Sequence, residues 1–124
     1  MSFEWEHYLH LAQRLAQEDD EASQRSAISR AYYAAFHTAR KYVEKAHPEV
    51  SLRQHGVEHG AIWDHLKLGS SREPVIGQQG DRLRQARVKA DYRIVGLRFP
   101  QDTKLAIEQA RLIIQTLGSM VPPT

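Results

Sequence analysis

Apolar positions recur at three- and four-residue intervals along most of this chain, the pattern of helices that each bury one face. Trp5, Tyr8, Leu9, Ala12 and Leu15 form the first stripe, with Ser2 placed to cap it and Glu4 and Glu6 favourable at the positive helix N-terminus. Ile28, Ala31, Ala35, Ala39 and Val43 form the second. The acidic run Glu18 to Glu21 suits the start of this long helix, and His47-Pro48 its end, because proline disfavours helical geometry in the residue before it. Val57, Ala61, Ile62 and Leu66 predict a shorter third helix from Gly56 to Lys67. Pro74 fits the first turn of a fourth, which carries Ile76, Leu83, Ala86, Arg87 and Ala90, although Gly77 and Gly80 weaken its first half. The pattern fails from Tyr92 to Pro100. Asp102 then reads as the N-cap of a last helix with Ala106, Ile107, Ala110, Ile113, Ile114 and Leu117 on its stripe and Gly118 as its stop, the final VPPT being frayed. No alternating strand pattern, internal repeat or dividing linker is present. The expectation is an all-α fold, an antiparallel four- to five-helix bundle, in a single domain over residues 1–124 with its core at about 3–118.

Composition narrows the function classes. At 124 residues the chain is long enough for one real core. It has no cysteine, which excludes disulfides, a thiol nucleophile and thiolate-bound zinc, and points to a cytoplasmic protein. The opening MSFEWEHYLH is acidic and interrupted, unlike a secretory leader, and no apolar run approaches the ~18 residues that span a membrane. The net charge is only +2, but residues 82 to 98 hold Arg82, Arg84, Arg87, Lys89, Arg93 and Arg98 against Asp81 and Asp91. That run either tracks a phosphate backbone or is a solvated helix face, with positions 82, 89 and 93 on one side and 84 and 87 on others.

Two stretches carry candidate chemistry. SAISRAYYAAFHTARKYV, from Ser26 to Val43, sets Arg30, Tyr33, His37 and Arg40 on one side of the second helix, opposite its alanine-rich face. RVKADY, from Arg87 to Tyr92, repeats the theme of arginine, carboxylate and tyrosine. Arg87, Asp91 and Tyr92 either bind a phosphate or base, with Tyr92 stacking and Arg87 supplying its fork of donors, or tie helices together, with Asp91 holding Arg30 or Arg87. His55-Gly-Val-Glu58-His59 fits the H-x-x-E-H spelling of zinc peptidases. Gly56 and Gly60 weaken the helix such a site needs and no third ligand is evident, so no metal and no cofactor is expected.

Together SAISRAYYAAFH at 26–37, the His55-Gly56 pair and RVKADY at 87–92 resemble the HEPN family of small helical bundles, in the branch with a tyrosine pair in one long helix and an Arg-x-x-Ala-Asp-Tyr segment in a later one. The resemblance covers roughly residues 5 to 117. It implies an all-α bundle, frequent homodimerisation, and association with RNA, nucleotides or defence. Many members are metal-independent ribonucleases that act through an arginine, four to six intervening residues and a histidine; others are the toxin-like half of a toxin–antitoxin pair with a small nucleotidyltransferase. This chain departs from that pattern: Arg87 is followed by Asp91 and Tyr92 with no histidine. Arg30 with His37, and Arg53 with His59, meet the bare spacing elsewhere.

Metal-free RNA cleavage needs a base for the 2′-hydroxyl, an acid for the leaving oxygen and a cation for the phosphorane. His37 is the expected acid or base, and Arg30 or Arg87 the cation. They lie about 10 Å apart along the helix in the case of Arg30 and His37, so a dimer or a bent substrate is required. Tyr33, His55, Lys89, Asp91, Tyr92 and Arg93 are the expected RNA or nucleotide contacts. The alternative is a non-catalytic interaction module that binds a nucleotidyltransferase or other protein partner, with His37 a packing residue.

Overall fold

The computed structural model describes residues 2–49 and 59–120. They form five helices and no strand: α1 (Glu6–Leu15), α2 (Glu21–Ala46), α3 (His59–Lys67), α4 (Glu73–Tyr92) and α5 (Gln101–Ser119). The all-α bundle that the periodicity predicts is therefore the fold. Residues 50–58, with the first part of the expected third helix and His55, lie outside the described residues.

Helix ends follow local chemistry, with three departures from expectation. Asp20 caps α2, its carboxylate accepting from the Ser23 N–H at 2.9 Å. Ser2 does not cap α1. That helix starts after Trp5 with no side-chain cap, and Glu4 N–H donates to His7 Nδ1 at 3.3 Å instead. Asp102 is inside α5, not before it; its carboxylate reaches back to the Arg98 N–H at 2.8 Å. Gly118 lies within α5, which runs on to Ser119.

The 26-residue α2 is the centre of the bundle and packs on all four other helices. Its alanines at 27, 31, 34, 35 and 39 are fully buried, so neighbouring backbones approach closely. Arg25 near its start touches the end of α4, and Tyr42 near its end touches the start of α4, so the two run antiparallel. Gln24 fixes the α1–α2 turn by donating to the carbonyls of Ala16 and Glu18 at 2.9 and 2.7 Å.

The two glycines that weaken α4 in sequence have a packing reason. A Cβ at Gly80 would run into the Trp63 indole, and one at Gly77 would lie 2.6 Å from the Trp63 carbonyl oxygen and 2.7 Å from the Lys67 nitrogen. They form a notch in α4 that receives α3. Trp63, fully buried, then donates its indole N–H to the Tyr32 hydroxyl at 3.0 Å. Burial pushes the Tyr32 hydroxyl up to about 12, so it stays protonated.

A second buried contact joins the far end of α2 to the start of α4. Glu73, only 5% exposed, accepts from the Tyr42 hydroxyl at 2.7 Å, pairs with His47 Nε2 at 2.9 Å and accepts from the Ser70 N–H at 3.2 Å. Burial alone would raise the Glu73 carboxyl, but the bonds from His47, Tyr42 and Ser70 outweigh it and hold the carboxyl below its ordinary value. The His65 ring meets His47 edge-on at 4.7 Å.

Two outcomes follow for stability. Gly80→Ala in a solvated helix would gain up to about 1 kcal/mol, but here it should cost about 1–3 kcal/mol because Trp63 must shift. Urea unfolding gives the sign directly. Glu73→Gln should cost about 1–3 kcal/mol near pH 7, since it disrupts a buried acceptor of three bonds. A carboxyl held below its ordinary value stabilises above the unfolded value near 4.3, and that contribution fades as pH falls through the folded value. The gap between wild type and Glu73→Gln should therefore narrow in acid, as read from unfolding at several pH values.

Candidate functional site

Arg87 is the organising side chain of the site. It sits on the inner face of α4, one turn after Leu83, and is only 8% exposed. Its guanidinium lies over two rings of α2, with Cζ 5.3 Å from the Tyr32 ring centre and 5.7 Å from that of Tyr33. A cation over desolvated aromatic faces is stabilised by the ring quadrupoles. Asp91, one turn on, supplies a carboxylate at 3.5 Å, and the Ser29 hydroxyl donates to the same oxygen at 3.4 Å. Arg87 Nε is buried without a hydrogen-bond partner, and so is Arg84 Nε a turn earlier. The fork is thus held by rings and one long contact, with donor capacity left over.

From Arg87 a row of half-buried groups crosses α2 to α1. Tyr33 and His37 stack one turn apart with centres at 6.2 Å and planes at 27°. The Trp5 indole lies flat on His37, 3.6 Å between centres and 13° between planes. Arg30 places its Cζ 5.2 Å from the Tyr8 ring centre. The shelf therefore takes Arg87 and Asp91 from α4, Arg30, Tyr33 and His37 from α2, and Trp5 and Tyr8 from the start of α1.

The expected two faces of α2 are both present: Ile28, Ala31, Ala35, Ala39 and Val43 are buried, and Arg30, Tyr33, His37 and Arg40 are half-buried. Arg40 leaves the shelf and pairs with Glu44 at 3.1 Å. Asp91 holds Arg87 and not Arg30, whose cation rests on Tyr8. Lys89, Arg93 and Arg82 are exposed on the outer side of α4. Tyr92 is 74% exposed and about 140° round the helix from Arg87, so it is not part of the shelf. His55 lies outside the described residues.

Arg25 is a site-shaping residue that sequence reasoning missed. Its guanidinium donates to the carbonyls of Lys89 (3.2 Å), Ala90 (3.0 Å), Arg93 (2.6 Å) and Ile94 (3.0 Å), while Nε pairs with Glu21 at 2.9 Å. It caps the unsatisfied end of α4 and stacks over Phe99, 5.7 Å from the ring centre. Beyond it the loop bends at Gly96, whose φ of +104° suits glycine. The loop holds Ile94 and Val95 at 92% and 79% exposure. Only an arginine four residues after Glu21 is visible in the sequence, which reads as a surface pair. Trp5 and Tyr8 were expected on the core stripe of α1, and nothing in their spacing reveals His37 beneath them.

Arg25→Ala should remove the cap. Bonds from a charged donor to several carbonyls contribute enough that a loss of about 2–3 kcal/mol is expected. The amides of residues 92–98 should exchange faster with deuterium while those at the centre of α2 change less, and Arg25→Lys should recover part of the protection.

Comparison with known proteins agrees with the geometry. The model of the HEPN domain matches residues 6–120, from the first residue of α1 to the residue after α5. No curated protein and no solved structure gives a significant match. With the five-helix bundle and this match over nearly its whole length, the chain belongs to the HEPN domain family.

Proposed function

We propose that this HEPN protein binds RNA or a nucleotide on the shelf of α1, α2 and α4, and is the toxin- or ribonuclease-like component of a two-gene defence module in the cytoplasm. The observation that carries the reading is Arg87. A nine-tenths-buried guanidinium with an unpartnered Nε, set on two tyrosines beside half-buried His37 and Arg30, is a preorganised anion site. A phosphate received there leaves its base to stack on the Tyr33–His37 pair, and Lys89 and Arg93, exposed on the side of α4 away from Arg87, serve as separate backbone contacts.

If the bound strand is cut, His37 is the proton carrier and Arg87, or Arg30, the cation that takes the phosphorane charge. A single histidine serves one proton transfer at a time, so a homodimer that presents two such sites supplies the second. The exposed Tyr92, Ile94 and Val95 support a contact surface, either for that second copy or for an antitoxin such as a nucleotidyltransferase. The same patch favours the second reading, a non-catalytic interaction module.

The decisive experiment incubates a panel of single-stranded RNAs with the protein in chelator and measures binding and cleavage. Cutting should persist without metal and be abolished by His37→Ala. Affinity should fall with salt by about 0.7 log units per log unit for each phosphate contact, and Lys89→Ala should flatten that slope by about one contact. Binding with no cutting leaves the ligand reading alone. Absence of binding at low salt hands the site to the interaction module, and a partner pulled down equally with and without ribonuclease treatment would then identify its class.

A further inference from the structure

The N-terminal segment before α1 sits directly on the group that the proposed chemistry needs. Trp5 covers one face of the His37 imidazole at 3.6 Å between centres and 13° between planes. Phe3 meets Trp5, Tyr8 and His7 edge-on at 4.9, 5.6 and 5.6 Å, yet remains 54% exposed. The attachment of this strap is slight. Trp5 is the N-cap of α1 with no side-chain cap bond. Glu4 reaches Lys41 at 4.0 Å across an exposed pair, which contributes little in water. Hydrogen bonds from the His7 and Tyr8 N–H to the Glu4 and Trp5 carbonyls, and from the Glu4 N–H to His7, tie the strap to α1; towards α2 it is held mainly by the ring contact of Trp5 with His37.

Beside Trp5 there is room for it to move. An open groove of about 590 Å³ between α1, α2 and α5 is lined by Trp5 itself, Leu9 and Ile114 together with the charged Glu4, Glu6, Lys41 and Arg111. An indole leaving His37 would meet Leu9 and Ile114 there as well as water, which lowers the cost of opening.

We propose that Trp5 is the access-determining residue of the site: it covers His37, and a nucleobase must displace it towards the groove in order to stack on the imidazole. This rests on the assignment of the shelf as an RNA or nucleotide site. Trp5 and the base compete for the same face, so removing Trp5 strengthens binding. A structural role for Trp5 would do the opposite.

The test separates the cover from the ligand. Without RNA, diethyl pyrocarbonate modifies accessible imidazoles, and mass spectrometry resolves His37 from the exposed reference His10. Relative to His10, His37 should react about three- to tenfold faster in Trp5→Ala, the range expected from loss of an aromatic stack. Phe3→Ala, which loosens the strap without touching His37, should shift in the same direction by less. In parallel, a single-stranded RNA oligonucleotide should bind Trp5→Ala tighter than wild type by a similar factor. Unchanged His37 reactivity in both variants, with their helicity retained, overturns the cover. Weaker RNA binding by folded Trp5→Ala overturns it too, by making Trp5 a platform for the base. Faster His37 modification with no RNA binding by any protein keeps the cover and removes the RNA assignment.

Discussion

Trp63 in its glycine notch is the contact on which the rest of the arrangement depends. Without side chains at Gly77 and Gly80, α3 lies against α4 closely enough for the indole to reach across to α2. Its N–H then holds the Tyr32 hydroxyl, and Tyr32 in turn presents the ring on which Arg87 rests. A buried guanidinium with one long carboxylate contact is costly unless something else compensates its desolvation. Here two aromatic faces do so, and they are in place only because Trp63 fixes one of them. Packing of α3 and the seat of the Arg87 guanidinium are thus linked through one hydrogen bond.

The same dependence explains which parts of the fold were legible in the sequence. The stripe Ile28, Ala31, Ala35, Ala39 and Val43 repeats strongly enough to define α2 and its buried side, and Pro48, Pro74 and Phe99-Pro100 mark breaks between helices. Helix ends were less legible, because caps compete locally: Asp20 wins at α2, whereas Ser2 is three residues too early and Asp102 turns back to Arg98. Gly77 and Gly80 carry a propensity cost in sequence and a packing benefit in the fold, and only the fold shows the second.

Of the shelf, the sequence revealed the face of α2 and the Arg87–Asp91 turn, since both are matters of helical spacing. It could not reveal what covers them. Arg25 has no local signature beyond Glu21, yet it donates to four carbonyls sixty and more residues away. Trp5 belongs by spacing to the stripe of α1, and its stack on His37 depends on where the first turn of α1 meets α2. Tyr32 and Tyr33, adjacent and chemically alike, divide the work: one is fully buried beneath Arg87 and bonded to Trp63, the other half-buried beside His37.

The two arginines at opposite sides of the α2–α4 contact show how position separates structure from function. Arg25 directs its donors to backbone carbonyls and Glu21, and its product is a firm loop that holds Ile94 and Val95 outward. Arg87 is more deeply buried and keeps Nε unbonded, with its charge set against two rings and the Asp91 carboxylate. An arginine committed to carbonyls ties backbone together; one laid on rings fixes side chains instead. The bundle places the first beneath the end of α4 and the second a turn and a half earlier on that helix. The same side chain type therefore sets the backbone at one point of the α2–α4 contact and the ring positions at another.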